Sequence, residues 1–132
     1  MKYMLLIYLD ENAPTQAQQE QCYKESAEYA RELAATGKCL ATAPLYPTSA
    51  ATSIRVRDGK RVVTDGPFAE TREQLGGYYI INAGDLDEAI SIASQIPAGR
   101  WGTVEIRPVI EIAGSFHDSG VQPVDLAHSR ST

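Results

Sequence analysis

The stretch "VTDGPFAETREQLGGYYII", residues 63–81, divides the chain into two halves and so decides how the fold is read. It runs into "GYYIIN" (77–82), whose aromatic and β-branched residues suit a pleated, half-buried strand. Ahead of that strand, Asp65-Gly66-Pro67 predicts a tight turn, with the aspartate accepting local backbone amides and Phe68 anchoring the turn in the core. Gly76-Gly77 predicts a bulge, positive-φ backbone, or a place where a ligand meets the main chain. Just upstream, Asp58-Gly59 is a two-residue hairpin signal joining residues 52–57 to 60–64 and setting Val56 opposite Arg61.

Working outward, the first half opens on "YMLLIYL" (3–9), apolar on both faces as an interior strand should be. Thr15 and Gln18 are spaced as a capping box, so a helix starts there and runs to about Thr36, with Gly37 ending it. Tyr23, Ala27, Ala30 and Ala34 give it a stripe whose small residues permit close approach to a sheet. "KCLATA" is a short strand, broken by Pro44 and Pro47. In the second half, Asp85 and Glu88 form a second capping box for a helix closed by Pro97, and "TVEIRPVIEI" (103–112) is a final strand alternating Val104, Ile106, Ile110 and Ile112 with polar residues. Strand-helix-strand, an inserted hairpin, and strand-helix-strand again predict an α+β fold of ferredoxin-like type, βαβ(ββ)βαβ, with both helices on one face of an antiparallel sheet. The uncovered apolar face then predicts a homodimer, with a cavity at the sheet face. The domain is expected over residues 1–113. Residues 114–132 lack a sustained period and are expected to be a flexible tail or one packed on a partner subunit.

With 132 residues and 43% hydrophobic content the chain fits one domain and one core. No apolar run is long enough for a membrane span, and "MKYMLLIYLD" reaches an acid too soon for a secretory signal, so a cytoplasmic location is expected. Cys22 and Cys39 read as buried free thiols. A net charge of −5 argues against a nucleic-acid surface, although Arg55, Arg57, Lys60 and Arg61 gather at the hairpin, where they protect it against edge pairing or touch an anion. There is no dinucleotide fingerprint and no compact His/Cys/carboxylate set, so neither cofactor nor metal is expected.

Asp65 is the candidate catalytic residue, since a carboxyl at a strand end facing a cavity would have its pKa raised by partial burial. Tyr78 and Tyr79 must point to opposite faces, one beneath the helices and the other toward a cavity or dimer interface. Arg107, which shares a polar strand face with Glu105, and Glu73, which flanks Arg72 together with Glu70, complete the candidate ligand contacts.

"VRDGKRVVTDGPFAETREQLGGYYII", with "DLDEAI" and "VEIRPV" downstream, closely resembles the DGPF branch of the YCII-related (YciI-like) family of bacterial proteins, over roughly residues 1–112. The resemblance implies a dimeric α/β barrel of ferredoxin-like protomers. It also implies a genomic association with extracytoplasmic-function sigma factors, hence an alternative role as a regulatory or interaction module. In the wider group it implies a catalytic pair formed by a histidine on the first helix and an aspartate. That helix contains no histidine here: Ser26 falls near the position, and His117 and His128 both lie in the tail. A histidine-dependent mechanism therefore does not carry over, and the function expected is the binding of a small organic molecule, with any catalysis based on carboxylates, tyrosines or arginines.

Overall fold

The structure is a computed structural model describing residues 1–112. Its elements are β1 (Lys2–Leu9), α1 (Gln16–Ala35), β2 (Cys39–Pro44), β3 (Thr52–Arg57), β4 (Lys60–Asp65), β5 (Gln74–Asn82), α2 (Leu86–Ser94) and β6 (Gly102–Pro108), with 3-10 turns at Thr48–Ala50 and Pro97–Trp101. Four strands form one antiparallel sheet in the order β2-β5-β1-β6. Each helix connects two strands separated by a third, which is the interlocked arrangement of a ferredoxin-like fold. The tail assigned from the sequence lies outside the described residues.

Local chemistry explains the helix boundaries. Thr15 Oγ1 accepts from the Gln18 N–H at 3.1 Å while Gln18 Oε1 accepts from the Thr15 N–H at 2.8 Å, so the first capping box forms in full. The second does not. Asp85 caps the Glu88 N–H at 2.9 Å, but the Glu88 carboxylate accepts from the Gly84 N–H at 2.8 Å and from Lys38 Nζ at 3.1 Å. Reaching one residue further back ties α2 to the start of β2. The Gly84 amide, then Lys38, holds the Glu88 carboxyl below the usual carboxylate range. A depressed folded pKa contributes stability that is present above about pH 4.3 and lost as pH falls through the lower folded value. Glu88→Gln should therefore lower the thermal midpoint at neutral pH, and the gap from the wild type should close in acid, as read from calorimetric scans across pH 2–7.

On β1 the alternation is clean. Tyr3, Leu5 and Ile7 are buried against Ala30 and Leu33 of α1 and Ala89 and Ile92 of α2, joined by Tyr79 and Ile81 of β5. Met4, Leu6 and Tyr8 face the other way. They stand beside Tyr78 and Ile80, their cross-strand partners through Leu6↔Tyr78 and Met4↔Ile80. This open face is half-buried, and among the described residues neither helix packs on it. The two apolar faces expected of β1 are present, whereas on β6 Val104 and Ile106 pack on the core and Thr103, Glu105 and Arg107 occupy the open side. β6 also ends at Pro108, and Ile110 and Ile112 lie beyond it, exposed.

The hairpin forms as expected. Val56 pairs with Arg61, and Asp58 (φ 52°) with Gly59 (φ 73°) makes the turn that matches strand twist. It is a separate two-stranded sheet and does not extend the main one. Gly76 is the extra residue of a bulge: β1 partners pass from Gly77 to Leu75 between Ile7 and Tyr8.

Candidate functional site

A concave feature of the fold lies on the helix side of the sheet, between α1 and the β2 edge. It is a cleft of about 1090 Å³. Its walls come from a stripe of α1 that the sequence reading placed against the sheet. The α1 residues that are buried are Cys22, Ala30 and Leu33, of which only Ala30 belongs to that stripe. Tyr23, Ala27 and Ala34 are less buried and line the cleft together with Cys22 and Ala30, with Tyr23 46% exposed. Small side chains on this flank of α1 leave a space between helix and sheet edge where larger ones would fill it.

The floor carries the polar groups. Tyr79 is 2% exposed and its hydroxyl donates to the Ser26 carbonyl at 3.4 Å. Burial, then the nearby Cys39, pushes the Tyr79 phenol up to about 12, so it stays neutral at physiological pH and can both donate and accept. Thr42 Oγ1 donates to the Tyr78 carbonyl at 2.8 Å, and Thr42 lines the cleft. Tyr29 packs 6.4 Å from Tyr79, and its hydroxyl donates to the Ile92 carbonyl at 2.7 Å, bracing the floor from the α2 side. Cys22 and Ser26 sit one helical turn apart, their side chains 3.9 Å from each other. Both cysteines are buried and unpaired, and burial pushes the Cys39 thiol up to about 11.

Gly77 and Gly76 matter here through close approach. A Cβ on Gly77 would stand 3.1 Å from the Ala43 carbonyl oxygen, and one on Gly76 would stand 3.0 Å from the Leu9 side chain. Gly77 thus lets the end of β2 close on β5, Gly76 makes room for Leu9 of β1, and both glycines line the cleft.

The structure separates the candidates chosen from the sequence. Tyr79 belongs to the cleft, whereas Tyr78 lies on the open sheet face opposite Leu6. Arg107 is on that same open face, opposite Met4, and makes no ion pair with Glu105. Glu73 is at the sheet end, where its carboxylate accepts from Thr103 Oγ1 at 2.9 Å, while Arg72 pairs with Asp10 at 3.6 Å rather than with its neighbouring glutamates. Asp65 ends β4 opposite Thr52 and is exposed, so the partial burial expected of it is not seen among the described residues. Nor does its carboxylate hold the turn. Gly66 does, through its N–H to the Ala51 carbonyl and its carbonyl to Ser53 Oγ, each at 2.8 Å. Phe68 is 74% exposed, with the Arg55 guanidinium 4.9 Å from its ring, and is no core anchor.

A domain match covers residues 1–113: the YCII-related domain. The chain belongs to the YCII-related family. An uncharacterised protein of Rhizobium meliloti (strain 1021) is 37% identical over 114 residues, spanning 83% of this chain and 92% of that one. Among solved structures, 5-chloro-2-hydroxyhydroquinone dehydrochlorinase from Burkholderia phenoliruptrix AC1100, in complex with 2,5-dihydroxybenzoquinone, superposes with a TM-score of 0.50 at 16% identity, covering 85% of this chain and 96% of that one. At that identity the likeness speaks for the fold alone, and it agrees with the ferredoxin-like strand order of this YCII-related chain. Among the described residues no helix is long and apolar enough to cross a membrane.

Proposed function

We propose that this YCII-related protein, a member of the DGPF branch, binds a small organic molecule in the helix-side cleft. The observation that carries the reading is a space of about 1090 Å³, apolar along its walls and furnished at its floor with a buried, neutral phenol and a threonine hydroxyl. Apolar walls with a few convergent polar groups are the general form of small-molecule sites. The ligand this suits has an apolar, preferably planar body and one hydroxyl or carbonyl directed at Tyr79. Planar quinones and hydroxybenzenes deserve a place among the probes because the dehydrochlorinase of similar fold holds 2,5-dihydroxybenzoquinone. Binding is favoured over carboxylate catalysis because Glu11, the acid on the cleft wall, has both oxygens committed to Thr48. A thermal-shift screen of phenols, quinones and short carboxylic acids tests this. A compound class should raise the midpoint of the wild type and do so less for Tyr79→Phe, which keeps the ring and removes the hydroxyl. Equal shifts in both proteins would take Tyr79 out of the site.

The working unit is proposed to be a cytoplasmic homodimer closed through the open sheet face into a dimeric α/β barrel. Met4, Leu6, Tyr8, Tyr78 and Ile80 are a contiguous apolar patch that association would bury, with Glu105 and Arg107 at its border. On this reading Tyr78 and Arg107 serve assembly, and Asp65 acts in a site only if a second subunit covers it. Leu6→Asp should shift the mass measured by sedimentation from dimer to monomer while the circular dichroism spectrum is retained. An unchanged dimer would place the interface elsewhere.

A further inference from the structure

The loop between β2 and β3 forms one rim of the cleft, and it is tied down at two points of different kinds. At its start, the Leu45 N–H donates to the Gly76 carbonyl at 2.9 Å, a main-chain bond that continues the β2–β5 pairing. Three residues on, the tie is a side chain. Glu11 Oε2 accepts from the Thr48 N–H at 2.8 Å and Glu11 Oε1 accepts from Thr48 Oγ1 at 2.6 Å. One carboxylate thus grips two donors of one residue, the short geometry of charge-assisted bonds.

Position makes this clasp notable. Pro47, Thr48 and Ser49 line the cleft, and so do Glu11, Asn12 and Pro14, so the clasp joins two segments of its lining. Among the described residues, no other hydrogen bond joins residues 45–51 to residues 10–15. The Ala50 and Ala51 amides donate back to the Pro47 and Thr48 carbonyls, so the segment holds its own shape when released. Beyond it the chain enters the β3–β4 hairpin, which shares no pairing with the four-stranded sheet. Breaking the clasp therefore breaks no sheet hydrogen bond. A rim fixed by main-chain pairing could move only with local unfolding, whereas this one can part by the rotation of a single side chain.

We propose that the Glu11–Thr48 clasp is a gate on the cleft: its release lets the 46–51 rim swing from the 11–14 rim and admits a ligand, and its closure retains one. The gate rests on the reading of the cleft as the ligand site, but its test needs no ligand. Cys22 lines the cleft and is 6% exposed. Its alkylation by N-ethylmaleimide, followed by peptide mass spectrometry, reports how often the cleft opens. Cys39, equally buried, in β2 and absent from the cleft lining, is the internal reference.

In Glu11→Gln one acceptor oxygen becomes a donor amide and the charge is gone, so the Cys22 labelling rate should rise about tenfold, the loss expected when a charged hydrogen bond is broken. The Cys39 rate should stay unchanged. Thr48→Val, which removes only the hydroxyl, should raise Cys22 labelling by a smaller factor and serves if Glu11→Gln folds poorly. Equal Cys22 rates in the wild type and both variants would overturn the gate. So would a parallel rise at Cys22 and Cys39, which would mean general loosening. A silent ligand screen with a responsive Cys22 would leave the gate and remove the ligand site. Compounds that bind while Cys22 is indifferent to Glu11 would do the reverse.

Discussion

Gly102→Ala is expected to destabilise the protein by about 3 kcal/mol, at the upper end of what overpacking costs. Gly102 opens β6 opposite Leu9, in extended backbone that any residue can adopt, so the penalty is steric and not conformational. A Cβ there would overlap the Tyr8 carbonyl oxygen and stand 2.7 Å from Leu9 Cα. Both belong to the backbone of β1, a strand flanked by β5 and β6, which cannot yield without moving the sheet. Relief requires β6 to part from β1 at this end, which also pulls Val104 off the core and disturbs the Asp10 N–H to Trp101 carbonyl bond at 3.3 Å. Urea unfolding should show a lower midpoint at an unchanged slope. A loss under about 1 kcal/mol would mean that the β1–β6 contact is looser than described.

Ala27→Trp should abolish ligand binding in the cleft, weakening affinity by at least about a hundredfold, or about 2.7 kcal/mol. Ala27 is exposed on the cleft flank of α1, so an indole there enters the space and not the core. The helix should tolerate it, since the difference in intrinsic propensity is only about 0.5 kcal/mol. Glu28→Trp is the matched control: it is the next residue on the same helix, is exposed, and is not part of the cleft lining. Calorimetric titration with a compound from the screen should find binding retained in Glu28→Trp and lost in Ala27→Trp. Retention in both would move the site away from α1.

Much of the architecture was legible because its signals are local. The Thr15–Gln18 box, the Asp58-Gly59 turn with its Val56–Arg61 register, and the two-faced apolarity of β1 each depend on residues a few positions apart. The second capping box misled because Glu88 had a better partner in Lys38, fifty residues away in sequence. β6 was overextended because Ile110 and Ile112 continue the alternation after pairing has ended. The cleft was the larger omission. Four small or aromatic residues at helical spacing say that one flank of α1 is apolar, but not whether the sheet fills the space beside it. That depends on where the loop after β2 passes, and its position is set by Glu11 and Thr48, 37 residues apart with no shared period. Phe68 was misplaced for a related reason. Asp-Gly-Pro fixes a turn, and a turn does not say whether it is covered.

The most direct test of the central claim is a crystal structure of the wild-type protein soaked with hydroxybenzene and quinone fragments. Fragment density is expected between α1 and the end of β2, with a polar atom within hydrogen-bond distance of the Tyr79 hydroxyl. Density on the open sheet face beside Tyr78 and Arg107, with none on the helix side, would contradict it.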